Sequence, residues 1–356
     1  MWEVVEADLL PVSIGAGILG TGGGGNPYLG YLRVREELRA GATVKVIDPE
    51  EIEDNDKLVV VGGMGSPVVG YEKIAQGGEE TAAARALEEH LGQKFDAIAP
   101  FEMGGGNSMT PMIVSARMGI PLVDGDGMGR AFPELQMITY LIYGGSPAPS
   151  ALADERGNVV VLSEVVDARW LERIARAVTI EMGGHAGLAT AVMSGAFCKR
   201  SIIPNTLQQA RSIGRAVLHA RDTKSDPSAA VIAVAGGRRY LRGKVTDVHR
   251  RPAKGFARGH VVLEGVGEDA GRSIRIEFQN ENLVIWEDDE PKVTVPDLIS
   301  LVTTETGEPI TTELIRYGFR ADVLILERPD LLATEEALAV VGPRSFGIDL
   351  DYRPAF

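Results

Sequence analysis

Glycine is concentrated in the first third of the sequence. Of its 43 glycines, 23 fall among the first 130 residues, and many of these stand in short runs at 22–25, 62–63, 77–78 and 104–106. A glycine run contributes no side chain to a core, but it lets the backbone turn sharply and approach a ligand closely. We therefore expect these segments to be loops around a binding site.

The composition is that of an acidic globular protein. The chain has 356 residues, of which 44% are hydrophobic, and a net charge of −14 at pH 7. This length suffices for about two domains, each with its own core. Because the negative field repels phosphates, we expect no nucleic acid partner.

Cysteine content and the lack of targeting signals predict a cytoplasmic protein. One cysteine, Cys198, cannot form an internal disulfide or a thiolate zinc cluster, and it fits a reducing compartment. We interpret it as a small buried hydrophobe, with an activated nucleophile as the alternative. No signal peptide is expected from the first residues, and the uncharged stretch 9–32 contains a glycine run and Pro27, so no membrane span is predicted.

Helix and strand signals alternate through the first half of the chain. Asn26 and Pro27 predict the start of a helix over 28–40, and Gly92 ends a helix over 79–91. Further helices are predicted near 108–118, 131–143, 167–178, 186–198 and 206–221, and strands at 43–47, 58–61, 95–100, 120–123 and 159–162. This alternation predicts an α/β sheet with helical crossovers.

From about residue 238 the pattern changes to short strands that alternate apolar and polar residues. The predicted strands are 240–247, 260–263, 273–278, 283–286 and 323–326. Their close spacing is typical of a small barrel or sandwich. Pro227 and the glycine pair 236–237 mark a join, so we predict an α/β segment over 167–235 and a β-rich subdomain over about 238–330.

Four glycine-rich segments lie between predicted strands and predicted helices. They are 62–67, 102–107, 124–130 and 181–185. In open α/β sheets, ligands bind at the carboxyl ends of strands, where a loop turns into a helix N-terminus. We therefore expect these loops to converge on one rim and to form a cleft with backbone N–H groups beside acidic side chains.

Three acidic residues of these loops are candidates for proton transfer. If Glu102 is buried, its raised pKa suits this role; the alternative is a solvated loop acid. Asp124 and Asp126 are two residues apart, so one can face a ligand while the other caps the following helix. The alternative is that both are turn and cap residues.

Other polar residues of the loops each have a structural and a functional interpretation. Asn107 fits a helix N-cap, although its amide can still reach a ligand. His185, at a predicted helix start, is expected to be neutral, which suits a base, a metal ligand or a structural histidine. Arg130 can clamp a substrate carboxylate or pair with Glu134.

A dinucleotide-binding pattern occurs in an unsuitable context. Gly15, Gly17 and Gly20 match G-x-G-x-x-G. The helix that should follow is interrupted by the glycine run 22–25, and Asp48 lies further along the chain than the motif requires. We therefore expect no nucleotide cofactor. A divalent metal such as Zn or Mn is left open, since no ligand spacing identifies one.

Several strings of the sequence together resemble one family. They are GAGILGTGGGGNPYLG (15–30), MGSP (64–67), FEMGGGNS (101–108), VDGDGMGRAFPELQM (123–137), GKVTDVHRR (243–251), FQNENL (278–283), TVPDLISLV (294–302), TGEPITTELIRYG (306–318) and GPRSFGIDLDY (342–352). In this order the strings cover nearly the whole chain. They resemble the corresponding segments of the S-methyl thiohydantoin desulfurase-like family. The resemblance implies an N-terminal α/β domain over 1–166 and a C-terminal region over 167–356.

The resemblance also implies a function. Members are associated with hydantoinase and oxoprolinase genes, which implies an enzyme that acts on a thiohydantoin or a related cyclic imide. In the expected hydrolysis, water attacks the ring carbon that bears sulfur, and a sulfide or thiol leaves. The alternatives are a nucleotide- or phosphate-binding subunit and a non-catalytic partner of a hydantoinase or oxoprolinase. A homo-oligomer is expected from the general behaviour of enzymes of this size.

We assign the expected chemistry to residues of the glycine-rich loops. Glu102 or Asp124 is expected to act as the base, and His185 as an acid or a metal ligand. Arg130 is expected to hold a substrate carboxylate. The other substrate-binding groups are expected to be Gly23, Gly24, Gly104, Gly105, Gly106, Asn107 and Asp126.

Overall fold

Apolar runs of the N-terminal half form the centre of a mixed eight-stranded sheet in the computed structural model, which describes residues 1–65, 69, 73, 75–253 and 256–356. The strands, with a short separate pair β6 and β10, are β1 (Trp2–Glu3), β2 (Lys45–Ile47), β3 (Lys57–Gly65), β4 (Ala97–Pro100), β5 (Leu122–Val123), β6 (Gly125–Asp126), β7 (Ser150–Ala153), β8 (Val159–Leu162), β9 (His185–Ser194) and β10 (Ile203–Pro204). Their order in the sheet is β1-β2-β5-β4-β3-β9-β7-β8. The strands β2, β5, β4 and β3 are parallel, whereas β9 is antiparallel to β3 and β7.

Strand β3 explains why the centre of this sheet has a continuous apolar sequence. Val59 and Val61 belong to one hydrophobic core, and Leu58 and Val60 belong to another. All four side chains are completely buried. A strand that is covered on both faces needs apolar residues at every position, so simple alternation is absent.

Helices of the described residues cover the sheets. These helices are α1 (Glu6–Leu19), α2 (Pro27–Arg39), α3 (Glu79–Leu91), α4 (Thr110–Met118), α5 (Thr139–Ile142), α6 (Ala168–Glu181), α7 (Gly195–Ser201), α8 (Thr206–Thr223), α9 (Pro227–Ala235) and α10 (Glu335–Val341). Two of them begin or end at the residue that the sequence predicts. Asn26 caps α2 by accepting a hydrogen bond from Tyr28 N at 2.9 Å. Gly92 ends α3 with a left-handed φ of 65°. The predicted helix over 131–143 is shorter than expected, since α5 covers only its end.

Gly15 and Gly17 of the G-x-G-x-x-G pattern lie inside α1, and Gly15 packs this helix against α8. A Cβ atom on Gly15 would be 1.8 Å from Ala210 O, and a Cβ atom on Gly214 would be 1.8 Å from Pro11 O. Each helix therefore needs a glycine at the crossing, because any side chain would collide with the opposite backbone. These glycines serve helix packing in this structure.

The C-terminal half forms a seven-stranded antiparallel sheet. Its strands are β11 (Arg238–Ala253), β12 (Phe256–Gly265), β13 (Ser273–Gln279), β14 (Glu281–Glu287), β15 (Glu290–Thr294), β16 (Leu298–Thr303) and β17 (Arg320–Leu326), in the order β15-β14-β13-β12-β11-β17-β16. The sheet is curled, and Asn282 Nδ2 of β14 donates to Ile299 O of β16 at 2.9 Å. The predicted fold class, an α/β domain with a β-rich C-terminal part, is confirmed.

The predicted helix over 186–198 is wrong. Residues 185–194 form β9, and α7 begins only at Gly195. The segment is rich in alanine, which favours a helix locally. Burial between β3 and β7 overrides this preference, and small residues let α3 approach the strand. A Cβ atom on Gly187 would lie 2.3 Å from Glu80 N.

Strand β9 also connects the two halves of the chain. It comes from the predicted C-terminal region (167–356), yet it lies between β3 and β7 of the predicted N-terminal domain (1–166). The main sheet is therefore built from both. Within the described residues, no helix combines the length and the apolar character that crossing a bilayer requires.

Candidate active site

A pocket of about 200 Å³ lies where the end of β3 and the loop after β4 meet the start of β9. The topology explains its position, because β3 and β4 are parallel and end at the same edge, where the antiparallel β9 begins. The lining combines glycine-rich backbone with charged side chains. Its polar and glycine residues include Gly24, Gly25, Arg33, Gly63, Glu80, Glu102, Gly106, Asn107, Glu134, Arg176, His185, Asn280 and Glu281.

Glu102 lies two residues after the end of β4 and is only 5% exposed. Its Oε1 accepts a hydrogen bond from Asn107 Nδ2 at 2.7 Å, whereas Oε2 is buried and has no hydrogen-bond partner among the described residues. Burial raises the pKa of Glu102 to about 8, against the opposing effect of the Asn107 hydrogen bond, and the Asp126 carboxyl adds to the increase. The carboxyl therefore holds a proton at neutral pH, and Oε2 is the oxygen available to carry it.

Asn107 fixes Glu102 to the end of β3. Its Oδ1 accepts from Gly63 N at 2.8 Å, and its Nδ2 donates to Gly63 O at 3.1 Å as well as to Glu102 Oε1. Both amide hydrogens and the amide oxygen thus have partners within the protein. Asn107 orients Glu102 and has no donor left over for a substrate.

His185 begins β9 and lines the same pocket. It is paired with Gly65 in the antiparallel register. A Cβ atom on Gly63 would lie 3.0 Å from His185 Nε2 and 3.3 Å from Asn107 Oδ1, so the missing side chain at Gly63 leaves room for both groups. Burial lowers the pKa of His185, and the imidazole is neutral at pH 7. The sequence analysis attributed the neutral state of His185 to a helix start, whereas in the structure it results from burial at the start of a strand.

Glu281, at the start of β14, is a second buried acid that sequence reasoning missed. It is 2% exposed, and its Oε2 has no hydrogen-bond partner among the described residues. Burial raises its pKa, and the nearby Glu102 carboxyl raises it further, whereas Arg130 opposes the increase. A Cβ atom on Gly23 would lie 2.1 Å from Glu281 Oε1, so this glycine makes room for the acid.

Two arginines that the sequence analysis did not select also line the pocket. Arg33, in α2, donates from Nη2 to Glu80 Oε2 at 3.2 Å. Arg176, in α6, donates to Glu172 Oε1 at 2.7 Å and to Pro133 O at 3.0 Å. Both bring positive charge to the pocket from within helices, outside the glycine-rich loops.

Asp124 and Asp126 do not line the pocket, although they were expected to act as a base and as a substrate-binding residue. Asp124 Oδ1 accepts from two backbone N–H groups in the first turn of α8, at 3.1 and 3.2 Å. Asp126 Oδ2 accepts from Met103 N at 2.8 Å and from two N–H groups of its own loop. Both follow the turn-and-cap interpretation. Burial raises the pKa of both, that of Asp126 to about 6.

Arg130, which was expected to hold a substrate carboxylate, is completely buried and does not line the pocket. Its guanidinium donates to Thr21 Oγ1 and to the carbonyl oxygens of Ala131, Asn282, Pro296 and Asp297. Burial lowers its pKa to about 10. Arg130 therefore ties the loop after β6 to the second sheet.

The glycine runs pack largely against one another. Gly106 N donates to Gly25 O and Asn107 N donates to Gly24 O, both at 3.3 Å, so these two N–H groups are not available to an anion. A Cβ atom on Gly24 would lie 2.2 Å from Gly104 O. Of the predicted glycines, Gly24 and Gly106 line the pocket, whereas Gly23, Gly104 and Gly105 do not.

Three further expectations from the sequence concern the loop 62–67, Cys198 and a bound metal ion. Ser66 and Pro67 of the predicted loop 62–67 lie outside the described residues. Cys198 is buried in α7, and burial raises the pKa of its thiol to about 12, as for a core residue. Over the described ranges, no three His, Cys, Asp or Glu side chains are grouped so that they could hold a metal ion.

Comparison with known families matches both halves of the chain. A model described as "S-Me-THD-like, N-terminal domain" matches residues 7–164, and one described as "S-Me-THD-like, C-terminal domain" matches residues 166–355. The chain belongs to the S-Me-THD-like family. The resemblance seen in the sequence strings is thereby confirmed.

The S-Me-THD-like chain is also similar to a solved structure. A crystal structure of a protein from Chromobacterium violaceum superimposes with a TM-score of 0.81 at 26% sequence identity, and the match covers 100% of both chains. A comparison with curated proteins found no match. The fold of the S-Me-THD-like chain is therefore shared over its whole length with this bacterial protein.

Proposed function

We propose that this S-Me-THD-like protein is a hydrolase that removes sulfur from a thiohydantoin or an S-methyl thiohydantoin ring. The family membership supports the substrate class. The observation that carries the proposal is the buried Glu102 carboxyl, whose unpartnered Oε2 holds a proton. The neutral imidazole of His185 lines the same pocket. An acid and a base in complementary protonation states are what a hydrolysis at neutral pH requires.

The reaction uses the two groups in turn. His185 accepts a proton from water as the water oxygen attacks the ring carbon that bears sulfur. The carbon–sulfur bond then breaks, and Glu102 Oε2 gives its proton to the departing sulfur. As the carbonyl forms, the hydroxyl on the ring carbon loses its proton, which goes to the sulfur in the thiohydantoin and to the ring nitrogen in the S-methyl compound. The proton held by His185 then returns to Glu102, so both groups regain their starting states. A carbonyl replaces the thiocarbonyl, so the products are the hydantoin and hydrogen sulfide, or methanethiol when the sulfur carries a methyl group.

This proposal exchanges the roles that the sequence suggested for Glu102 and His185. Glu102 or Asp124 was expected to be the base, but the raised pKa of Glu102 keeps this carboxyl protonated at pH 7. His185 has a lowered pKa and is therefore ready to accept a proton. The ring itself offers N–H donors and a carbonyl acceptor, and the unpartnered Glu281 carboxyl suits either, because a protonated carboxyl both donates and accepts hydrogen bonds.

Release of the sulfur product tests the proposal. The purified protein is incubated with an S-methyl thiohydantoin while methanethiol is followed, and with the parent thiohydantoin while sulfide is followed. We expect Glu102→Gln to lower kcat by about 10²- to 10⁴-fold. Glu88→Gln is the matched control, since Glu88 is a buried acid that does not line the pocket. Full activity of the Glu102 variant rejects the site, and no sulfur release from either compound rejects the function.

The alternative of a phosphate-binding subunit has less support. The glycine run uses the carbonyl oxygens of Gly24 and Gly25 as acceptors for N–H groups of the next loop. A phosphate cradle needs N–H donors pointing at the ligand. A thermal shift with ATP and Mg²⁺ distinguishes the two functions, and we expect no stabilisation.

A further inference from the structure

A second cavity, of about 390 Å³, lies behind the turn that joins β13 to β14. Phe278 and Gln279 line this cavity, whereas the next two residues, Asn280 and Glu281, line the candidate active site. The turn is therefore a common wall of the two cavities. The second cavity uses none of the groups assigned to hydrolysis.

The rim of the second cavity is basic. Arg251 of β11 and Arg258 of β12 are cross-strand partners, and His249 and His260 form another pair in the same register. Directly opposed residues project from the same face of a sheet. The two imidazoles are stacked, with ring centroids 5.5 Å apart and an interplanar angle of 14°.

The acidic groups nearby do not neutralise the two arginines. Glu277 lines the cavity, but it is paired with Arg275 on its own strand. Asp247 Oδ2 lies 3.6 Å from His260 Nε2. In the part of the chain that the structure describes, neither Arg251 nor Arg258 forms an ion pair with an acid. This local excess of positive charge stands out in a chain with a net charge of −14.

Gln279 provides an independent indication of a ligand. Its side chain is 2% exposed, and its Oε1 is buried without a hydrogen-bond partner among the described residues. Buried amide oxygens are normally satisfied, so an unpartnered one on a residue that lines a cavity points to a donor from a bound molecule. Phe278 and Phe346 add apolar surface to the same cavity.

We infer that this second cavity binds a small organic anion with an aromatic or other apolar body. The anionic group, a phosphate ester or a carboxylate, lies between Arg251 and Arg258, which are the side chains suited to forked hydrogen bonds with such groups. The apolar body packs against Phe278 and Phe346, and an N–H or O–H donor of the ligand reaches Gln279 Oε1. The inference is independent of the proposed hydrolysis.

Calorimetric titration of the full chain at low salt tests the site with three probes: phenyl phosphate, benzoate and inorganic phosphate. We expect an aromatic anion to bind about tenfold more tightly than inorganic phosphate, because only the aromatic probes bury an apolar ring. The tighter of phenyl phosphate and benzoate identifies the anionic group. The double variant Arg251→Ala, Arg258→Ala is expected to bind it about tenfold more weakly.

Arg320→Ala is the matched control. Arg320 belongs to β17 of the same sheet and lies outside the cavity, and its Nε is 3.3 Å from Glu305 Oε1. It should leave the affinity within about twofold of wild type. No saturable binding of any probe up to about 10 mM overturns the site. Undiminished binding by the double variant, with its circular dichroism unchanged, also overturns it, because the anion then binds elsewhere.

Gln279→Met tests the donor contact separately, since methionine has a similar length and removes the amide oxygen. In wild type we expect 4-aminophenyl phosphate to bind about threefold more tightly than phenyl phosphate, because its amino group donates to Gln279 Oε1. The variant should lose this preference. Equal affinities for the two probes in wild type overturn the role of Gln279.

Discussion

Asn107 Nδ2 donates a hydrogen bond to Glu102 Oε1 at 2.7 Å, so the proton of this buried acid resides on the opposite oxygen, Oε2. The same amide bonds both backbone polar groups of Gly63 at the end of β3. One side chain therefore sets the position of the acid relative to the sheet edge and the direction of its proton.

Replacing Asn107 by Leu should lower kcat and change its pH dependence. The Asn107 hydrogen bond lowers the pKa of Glu102, so its loss moves that pKa further upward. Because the proposed reaction needs protonated Glu102, the basic limb of the kcat–pH profile should move to higher pH, and kcat should fall by about 10- to 100-fold.

Asn158→Leu is the matched control for this profile. Asn158 Nδ2 makes the same kind of contact, at 2.7 Å, with Asp154 Oδ2 outside the pocket. Its profile should coincide with that of wild type. A basic limb that stays in place in the Asn107 variant would show that Glu102 does not govern it.

Glu102→Gln should change how stability depends on pH. In the unfolded chain Glu102 ionises near its ordinary pKa of 4.5, whereas in the folded protein its pKa is about 8. Between these values the folded state keeps a proton that the unfolded state has lost. This carboxyl therefore makes the free energy of unfolding decrease as pH rises, by up to about 1.4 kcal/mol per pH unit.

Urea unfolding between about pH 5 and pH 8 measures this effect. The Gln variant lacks the titrating group, so its free energy of unfolding should rise relative to wild type across the range and level off above about pH 8. Glu88→Gln serves again as the control for a buried acid elsewhere in the chain. A constant difference between wild type and the Glu102 variant would mean that Glu102 is already ionised at low pH.

Gly63→Ala should reduce activity while the fold is kept. The added Cβ atom would lie 3.0 Å from His185 Nε2 and 3.3 Å from Asn107 Oδ1, so one of these groups must move by a few tenths of an ångström. Misplacement of this size lowers kcat by about tenfold or more when it affects reacting groups. Activity assays combined with circular dichroism measure it.

Gly78→Ala is a suitable control because its Cβ atom would meet the ends of the flexible side chains of Gln76 and Arg117, at 3.0 and 3.4 Å. It should retain wild-type turnover. Wild-type turnover of Gly63→Ala would show that the spacing of His185 and Asn107 does not matter for the reaction.

Asp124→Ala should lower stability and leave kcat nearly unchanged. Asp124 accepts two hydrogen bonds from the first turn of α8, and loss of such a cap costs about 0.5–2 kcal/mol. Thermal unfolding and sulfur release together check this. Asp167→Ala removes the cap of α6 and should cost a similar amount. Loss of turnover without loss of stability would return Asp124 to the catalytic residues.

Local signals predicted some elements well and failed for others. Asn26 and Gly92 mark helix ends through contacts within a few residues, so sequence alone predicts α2 and α3. Strand β9 could not be predicted in this way. Its alanine-rich sequence favours a helix, and its strand conformation depends on β3 and β7, which are distant in the chain.

The same distinction applies to the site. Glu102, Asn107 and His185 were selected because they lie in glycine-rich loops, and all three line the pocket. Glu281 and Arg33 line it too, but Glu281 comes from β14, which is distant in the chain, and Arg33 lies within α2, beyond the glycine run 22–25 that precedes this helix. The FQNENL string, which includes Glu281, was the one hint in the sequence.

The insertion of β9 between β3 and β7 has a consequence for how the protein is made. During synthesis, a nascent chain that ends near residue 166 contains Glu102 and Asn107 but leaves the facing edges of β3 and β7 without their partner strand. Such open edges invite aggregation until they are covered. His185 is the first residue of the strand that covers them, so the proposed catalytic pair, Glu102 and His185, is completed by the same event that seals the sheet.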